Sequence, residues 1–269
     1  MDGTTERPAI DLKAPGFLDP RDSSLVVRFG RGRTGGSTIL DLLVQLARHV
    51  GREVVIGDGD RRNATLASLY PPGTPGGALQ PSTDEVPDVK DWITDLLGNA
   101  IGLGQSVVLD LGGGDRVMQE YGRDLALVDF CEEAGLRPLG LFVTGPEADD
   151  FEHVLGIWRA GYFRPKRALL VFNEHLVPAG KTTSGAFDAI MNRPEVGEIE
   201  KEGVKTIFLP RLPCMGHVRD SGLSIIDAAT NIAGRSGKPL DPARQFMVRQ
   251  WIVRTLAEFE RVRALRWLP

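Results

Sequence analysis

The chain has 269 residues, 42% of them apolar and 25% charged, and its 32 basic and 36 acidic side chains leave a formal net charge of −4. That balance is ordinary for a globular fold and excludes a disordered, collagen-like or fibrous chain. No apolar run approaches the roughly 18–20 residues a membrane helix needs, and the acidic balance excludes a chain basic throughout, although a local basic patch can still meet nucleic acid.

Residues 1–24 mix acids, prolines and glycines and read as a flexible leader, without the basic-then-apolar pattern that directs export. Leu25-Val-Val-Arg-Phe29 is a short β-rich run that ends in a glycine-rich turn. From Ser37 to Val50, Ile39, Leu42, Leu43, Leu46, Ala47 and Val50 recur at helical spacing. Glu53 to Gly57 reads as a second strand, and Asp58 to Tyr70 as a turn with a short helix. A loop from Pro71 to Pro87 carries five prolines and three glycines, and Asp91 to Gly102 is helical. Ser106 to Asp110 is a third strand, followed by Gly112-Gly-Gly114. Leu139 to Val143, Ala168 to Phe172 and Thr206 to Leu209 are further strands. Pro146 to Gly161 is a helix that opens with acids, as the helix dipole favours. Asp241-Pro242 is an N-cap and first-turn pair for a long last helix running to about Arg266.

Apolar strands alternating with amphipathic helices predict one α/β domain over residues 25–269, a doubly wound, mostly parallel sheet with helices on both faces. Such sheets bind ligands beyond the carboxyl ends of their strands. The two cysteines, Cys131 and Cys214, are too few for a disulfide framework and point to a reducing cytoplasm. Cys214 and His217 have no second pair at zinc-site spacing and read as an ordinary loop.

The turn Gly30-Arg-Gly-Arg-Thr-Gly-Gly-Ser-Thr38 sits between strand and helix, where a phosphate-cradling loop belongs. Its glycines let successive N–H groups face an anion, and Ser37 is placed to bind Mg²⁺ through its hydroxyl. Gly36 stands where such a loop normally supplies a lysine. Asp58 and Asp60 close the second strand and Asp110 the third, and acids there can hold Mg²⁺ or orient an attacking water. A dinucleotide-binding turn is a rival reading: Gly30 and Gly32 fit its start, but Gly35 falls at the third glycine and the Ser-Thr pair does not belong to it.

With these motifs in place, the sequence resembles the ParA/MinD-type P-loop ATPases that carry a deviant Walker A loop. Gly30 to Thr38 matches that loop, with Arg31 at the position of the signature lysine. Asp58-Gly-Asp-Arg-Arg-Asn-Ala-Thr-Leu66 is similar to the family's second-strand motif, with Asp60 at the catalytic acid, and Val107 to Gly113 to its Walker B segment. Asn173 matches the adenine-reading asparagine, and Pro210-Arg-Leu-Pro213 a segment that lines the base. Within the family the closest branch is that of the conjugative TraL, MobD and VirC1-like proteins.

The resemblance implies ATP or ADP held by Gly30, Arg31, Gly32, Arg33, Thr34, Gly35, Gly36, Ser37, Thr38, Asn173 and Pro210. Mg²⁺ would be held by Ser37, Asp58 and Asp110, with Asp60 and Arg31 in catalytic roles. It implies a homodimer with Arg31 reaching the partner's phosphates. Removing the loop lysine removes a charge pair of roughly 4 kcal/mol at about 4 Å and an effective dielectric near 20, which Arg31 or Arg33 would replace. The expected function is an ATP-controlled dimeric switch with weak or lost hydrolysis, acting in plasmid partition, positioning or conjugative DNA transfer. The alternative is a non-enzymatic protein- or DNA-interaction module that keeps the fold. From Arg235 to the end, eight basic residues face three acids. Arg244, Arg249, Arg254, Arg261 and Arg263 are therefore candidates for non-specific DNA binding, and Trp267-Leu-Pro269 for docking a protein partner. Phe246, Trp251, Ile252, Leu256 and Phe259 form the apolar side expected to pack on the sheet.

Overall fold

A computed structural model describes residues 23–112 and 115–269. The chain runs β1 (Ser23–Phe29), α1 (Gly36–His49), β2 (Val54–Asp58), α2 (Thr65–Leu69), α3 (Val86–Leu103), β3 (Ser106–Asp110), α4 (Asp115–Asp124), α5 (Leu127–Glu133), β4 (Leu136–Thr144) and α6 (Ala148–Ala160). It continues through β5 (Arg167–Asn173), α7 (Thr183–Met191), α8 (Pro194–Lys201), β6 (Lys205–Leu209), α9 (Met215–Ser221), α10 (Ile225–Ala228) and α11 (Pro242–Arg261). The six strands form one sheet in the order β2-β3-β1-β4-β5-β6, and every pairing is parallel. This is the doubly wound parallel architecture the strand and helix rhythm predicts.

Strand alternation explains the two layers. Leu25, Val27 and Phe29 face a core with Ile93, Leu97, Tyr121, Phe151 and Phe187, which lie on α3, α4, α6 and α7. Val26 faces the other core, with Leu42, Leu43, Val218, Val248 and Ile252 from α1, α9 and α11. Both faces are thus buried, which is why β1, β3 and β5 read as continuous apolar runs. The chain leaves β1 towards β2 at one edge and leaves β4 towards β5 on the opposite side. The neighbouring ends of β1 and β4 therefore form the crevice where this architecture binds ligands.

Several boundaries differ from the sequence reading. Of the leader 1–24, Ser23 and Ser24 already belong to β1, and residues 1–22 lie outside the described residues, as do Gly113 and Gly114. Helices α4, α5 and α7 to α10, at 4 to 10 residues, are too short to present a periodic apolar stripe in sequence. Helix α11 has the expected cap: the Asp241 carboxylate accepts from the N–H groups of Ala243 and Arg244, and Pro242 opens the helix. It stops at Arg261 rather than near Arg266, because Arg263 turns left-handed (φ 58°) and a 3-10 turn, Leu265–Trp267, follows.

That turn folds the C-terminus back on the body. Leu268 is buried and Lys205 sits over the Trp267 ring, so this segment is committed to the chain's own core rather than held out as a docking tail. Phe246 is likewise a correction: it is 55% exposed, whereas Trp251, Ile252 and Phe259 are buried as expected.

Candidate functional site

The glycine turn after β1 is shaped by close approaches that no side chain would survive. Gly30 has φ 146°, and a Cβ there would lie 2.5 Å from the Val143 carbonyl oxygen. Gly35 is left-handed (φ 85°) at the N-cap of α1, and a Cβ there would collide with the Asn173 amide. Thr34 is buried, and its hydroxyl and N–H both return to the Arg31 carbonyl. Arg33, also left-handed (φ 69°), is exposed in the loop. Gly36 and Ser37 begin α1, so their N–H groups have no partner inside the helix.

This turn opens into a cleft of about 590 Å³ at the carboxyl ends of β1, β2, β5 and β6. Gly32, Arg33, Gly35, Gly36, Ser37 and Thr38 line one wall. Asn173, His175, Pro210, Met215, Arg219 and Trp251 line the opposite one, and Asp60 lies at the side. The structure therefore brings most of the residues the sequence singles out onto one cleft, with Gly30, Arg31, Thr34, Asp58 and Asp110 outside its lining, and three of the set make contacts that the resemblance does not imply.

Arg31 is the first. It does not line the cleft; its guanidinium lies 3.7 Å from Asp149 and 3.6 Å from Asp150 at the start of α6. Asp58 is the second. It is buried, one carboxylate oxygen accepts from the Ala67 N–H at 2.8 Å, and the other accepts from the Asp60 N–H at 3.2 Å. It anchors the β2–α2 loop rather than lining the cavity. Asp58 and Asp110 are in register at the ends of β2 and β3. Burial, reinforced by the Asp110 and Asp60 carboxylates, pushes the Asp58 carboxyl up to about 6.

Asn173 is the third. Its Nδ2 donates to the Thr34 carbonyl at 2.7 Å, and its Oδ1 accepts from the His175 N–H, so the side chain braces the loop while bordering the cavity. Pro210 borders it too, and its carbonyl accepts from the Trp251 indole.

At the β3 end, the Ser37 hydroxyl donates to Asp110 Oδ2 at 2.6 Å, and the Gly112 N–H donates to Asp110 Oδ1 at 2.9 Å. Gly112 (φ 60°) has no room for a Cβ because the Asp60 carboxylate presses against it. Serine hydroxyl and aspartate carboxylate side by side are the hard-oxygen pair that Mg²⁺ accepts when a substrate's phosphates and water complete its shell. Among the described residues no three His, Cys, Asp or Glu side chains cluster as a metal cage. A site that borrows phosphate oxygens needs none.

No family model matches the sequence. No curated protein matches it either. Three solved structures are similar to the chain, each at 13% identity. The signal recognition particle receptor FtsY from Elizabethkingia anophelis aligns over 90% of this chain and 69% of its own, with a TM-score of 0.47. The cell division protein FtsY from Thermotoga maritima aligns over 87% and 70%, with a TM-score of 0.43. The MinC:MinD cell division protein complex from Aquifex aeolicus aligns over 88% and 97%, with a TM-score of 0.48. Function is therefore read from the chain's own residues.

Four lining residues escaped the sequence reading. Trp251 lies on a helix whose apolar residues read simply as core, while Met215 and Arg219, the latter donating to the Thr38 hydroxyl at 3.3 Å, come from the short α9, a segment whose start reads as a loop. The fourth is Arg28. It is 6% exposed, and its Nη1 donates to the carbonyls of Gly30 at 2.9 Å and Gly112 at 3.1 Å. Its Nε lies 3.5 Å from Asp110 Oδ1. A signal for it was present: in Leu25-Val-Val-Arg-Phe29 the arginine shares the inward face of Val26, where a charge must have a partner or a task.

Proposed function

We propose that the cleft binds ATP, with its phosphates against the turn Gly30–Thr38 and its base against the wall of Asn173 and Pro210. The observation that carries this reading is the start of α1: unpartnered N–H groups at Gly36 and Ser37 open into a 590 Å³ cleft beside a Ser37–Asp110 pair 2.6 Å apart. Ser37 and Asp110 would hold Mg²⁺, which supplies charge neutralisation on the phosphates. Asp58, with both oxygens already accepting from backbone N–H groups, would act by holding the β2–α2 loop and, through water, the ion's outer shell. Asp60, on the cleft's side, is placed to orient a water.

On this reading the chain is a ParA/MinD-like nucleotide-controlled switch with slow or absent hydrolysis, and it works as a homodimer. Arg31 is 49% exposed and pairs at 3.6–3.7 Å with the exposed Asp149 and the partly buried Asp150, and pairing by so exposed an arginine is worth about 0–1 kcal/mol, so it is free to exchange them for a partner's phosphates. Positioning of a plasmid or cell component, or conjugative DNA transfer, is the proposed setting, with α11 as the DNA-facing element. Arg254 on α11 is exposed and donates to the Gln250 carbonyl of its own helix, which suits a phosphate-seeking side chain.

A second reading is the interaction module that keeps the fold without nucleotide. The Arg28–Asp110 ion pair favours it, because in that module the two buried charges offset each other without a ligand. A fluorescent ATP analogue titrated with and without Mg²⁺ separates the two. The switch predicts saturable, Mg²⁺-strengthened binding and a nucleotide-dependent rise in mass by light scattering. No binding at millimolar nucleotide leaves the module.

A further inference from the structure

Resting on the nucleotide reading above, we infer that Arg28 is this site's phosphate-binding cation, supplied from inside β1, and that it replaces the lysine missing at position 36. The two positions compete for one space. A Cβ built on Gly36 would run into the Arg28 side chain, 2.5 Å from its Cδ and closer still to Nε. A side chain at 36 and an arginine at 28 exclude each other, so the glycine at 36 is the condition for Arg28 to lie where it does.

The guanidinium is built into the loop from behind. Nη1 bridges the carbonyl of Gly30, in the phosphate turn, to the carbonyl of Gly112, after β3. It therefore joins the two segments that would flank a γ-phosphate. Nε is buried and has no hydrogen-bond acceptor among the described residues, yet Arg28 borders the cleft. A buried arginine N–H without an acceptor is costly unless a ligand supplies one, and an anion seated on the Gly36 and Ser37 amides would be such a ligand. The balancing charge fits the same exchange. Asp110 sits 3.5 Å from Nε and 2.6 Å from the Ser37 hydroxyl. When Mg²⁺ and phosphate arrive together, the carboxylate gains the cation and the guanidinium gains the phosphate, so each keeps an opposite charge beside it. The cation at work is thus neither of the exposed loop arginines: Arg31 lies outside the cleft, and Arg33, though it borders the cleft, is exposed, where screening weakens its charge.

The test is a set of full-length variants assayed for ATP and AMP binding, with circular dichroism as the check on folding. Arg28→Met is expected to weaken ATP at least 30-fold while AMP changes less than 3-fold, which a merely structural role would not produce. Gly36→Lys alone is expected to bind ATP no better than the parent, because Arg28 occupies the space. The double variant Arg28→Ala with Gly36→Lys is expected to return ATP affinity to within 5-fold of the parent, and it keeps the inference testable should Arg28→Met fail to fold. ATP binding unchanged in folded Arg28→Met, or Gly36→Lys tightening ATP with Arg28 present, overturns the inference and leaves the nucleotide reading standing. Absence of ATP binding by the parent itself overturns the nucleotide reading.

Discussion

The end of β1 and the length of α11 both carry arginine, and they use it in opposite ways. At β1 a single buried arginine bridges two loops and pairs with a buried aspartate, with both side chains 5% exposed or less. Along α11 the arginines are exposed or half-buried, and the carboxylates they pair with belong to their own helix or its cap. Arg244 pairs with Asp241, Arg261 with Glu258, and Arg249 donates to the Ala229 carbonyl. The difference is one of dielectric. A charge at the protein surface is screened and worth little, whereas a buried one commits the structure around it. Counting basic residues points to α11; burial points to β1.

The largest expected effect comes from separating the buried pair. Asp110→Ala leaves Arg28 without its counter-charge and should cost about 3–5 kcal/mol in urea unfolding. A loss below about 1 kcal/mol would mean that the pair holds nothing, and the contrast with α11 would disappear. Next is Gly30→Ala, which combines φ 146° with a Cβ 2.5 Å from the Val143 carbonyl and should cost about 2–3 kcal/mol by the same measurement.

Asp41 sharpens the same point away from the cleft. It is a buried carboxylate on α1 that accepts from the Tyr70 hydroxyl at 2.6 Å and from Gln45 at 2.7 Å. Burial outweighs these donors and holds its pKa above the ordinary value. The folded state therefore binds this proton more tightly than the unfolded chain, and the group's contribution to stability falls as pH rises from about 4 through the raised value. Tyr70→Phe removes a donor to the charged form and should cost about 2 kcal/mol at pH 7 but less at pH 4, read from melting at the two pH values. An equal cost at both would show that the hydroxyl does not serve the carboxylate.

The smallest effect belongs to α11. Arg254→Ala should change stability by no more than about 0.5 kcal/mol. If α11 meets DNA, the same variant weakens binding evenly across sequences and lowers the salt slope by about 1. An unchanged DNA affinity and slope would remove Arg254 from that interface.

The architecture was legible because every strand of the sheet carries a buried apolar run and the longer helices carry a full stripe. Short helices such as α9 and α10 were not, since they are set by packing rather than by period. At the site, Gly32, Gly35, Gly36, Ser37 and Asp110 were readable from spacing, and the structure puts the first four on one cleft with Asp110 joined to them through the Ser37 hydroxyl. The placements of Asp58, Arg31 and Asn173 were not, because each depends on a partner distant in sequence or on a loop's exact path: Asp110 beside Asp58, Asp149 beside Arg31 and Thr34 beside Asn173. Arg28 was overlooked because one charge inside an apolar strand looks like a strand residue until its neighbours are known.

The central claim is that the amides opening α1 clasp a triphosphate, and amide chemical shifts of isotopically labelled protein titrated with ATP and Mg²⁺ test it most directly. The account predicts saturable shifts centred on Gly35, Gly36, Ser37 and Thr38. A titration that leaves those four amides unmoved while ATP reaches millimolar concentration would contradict it.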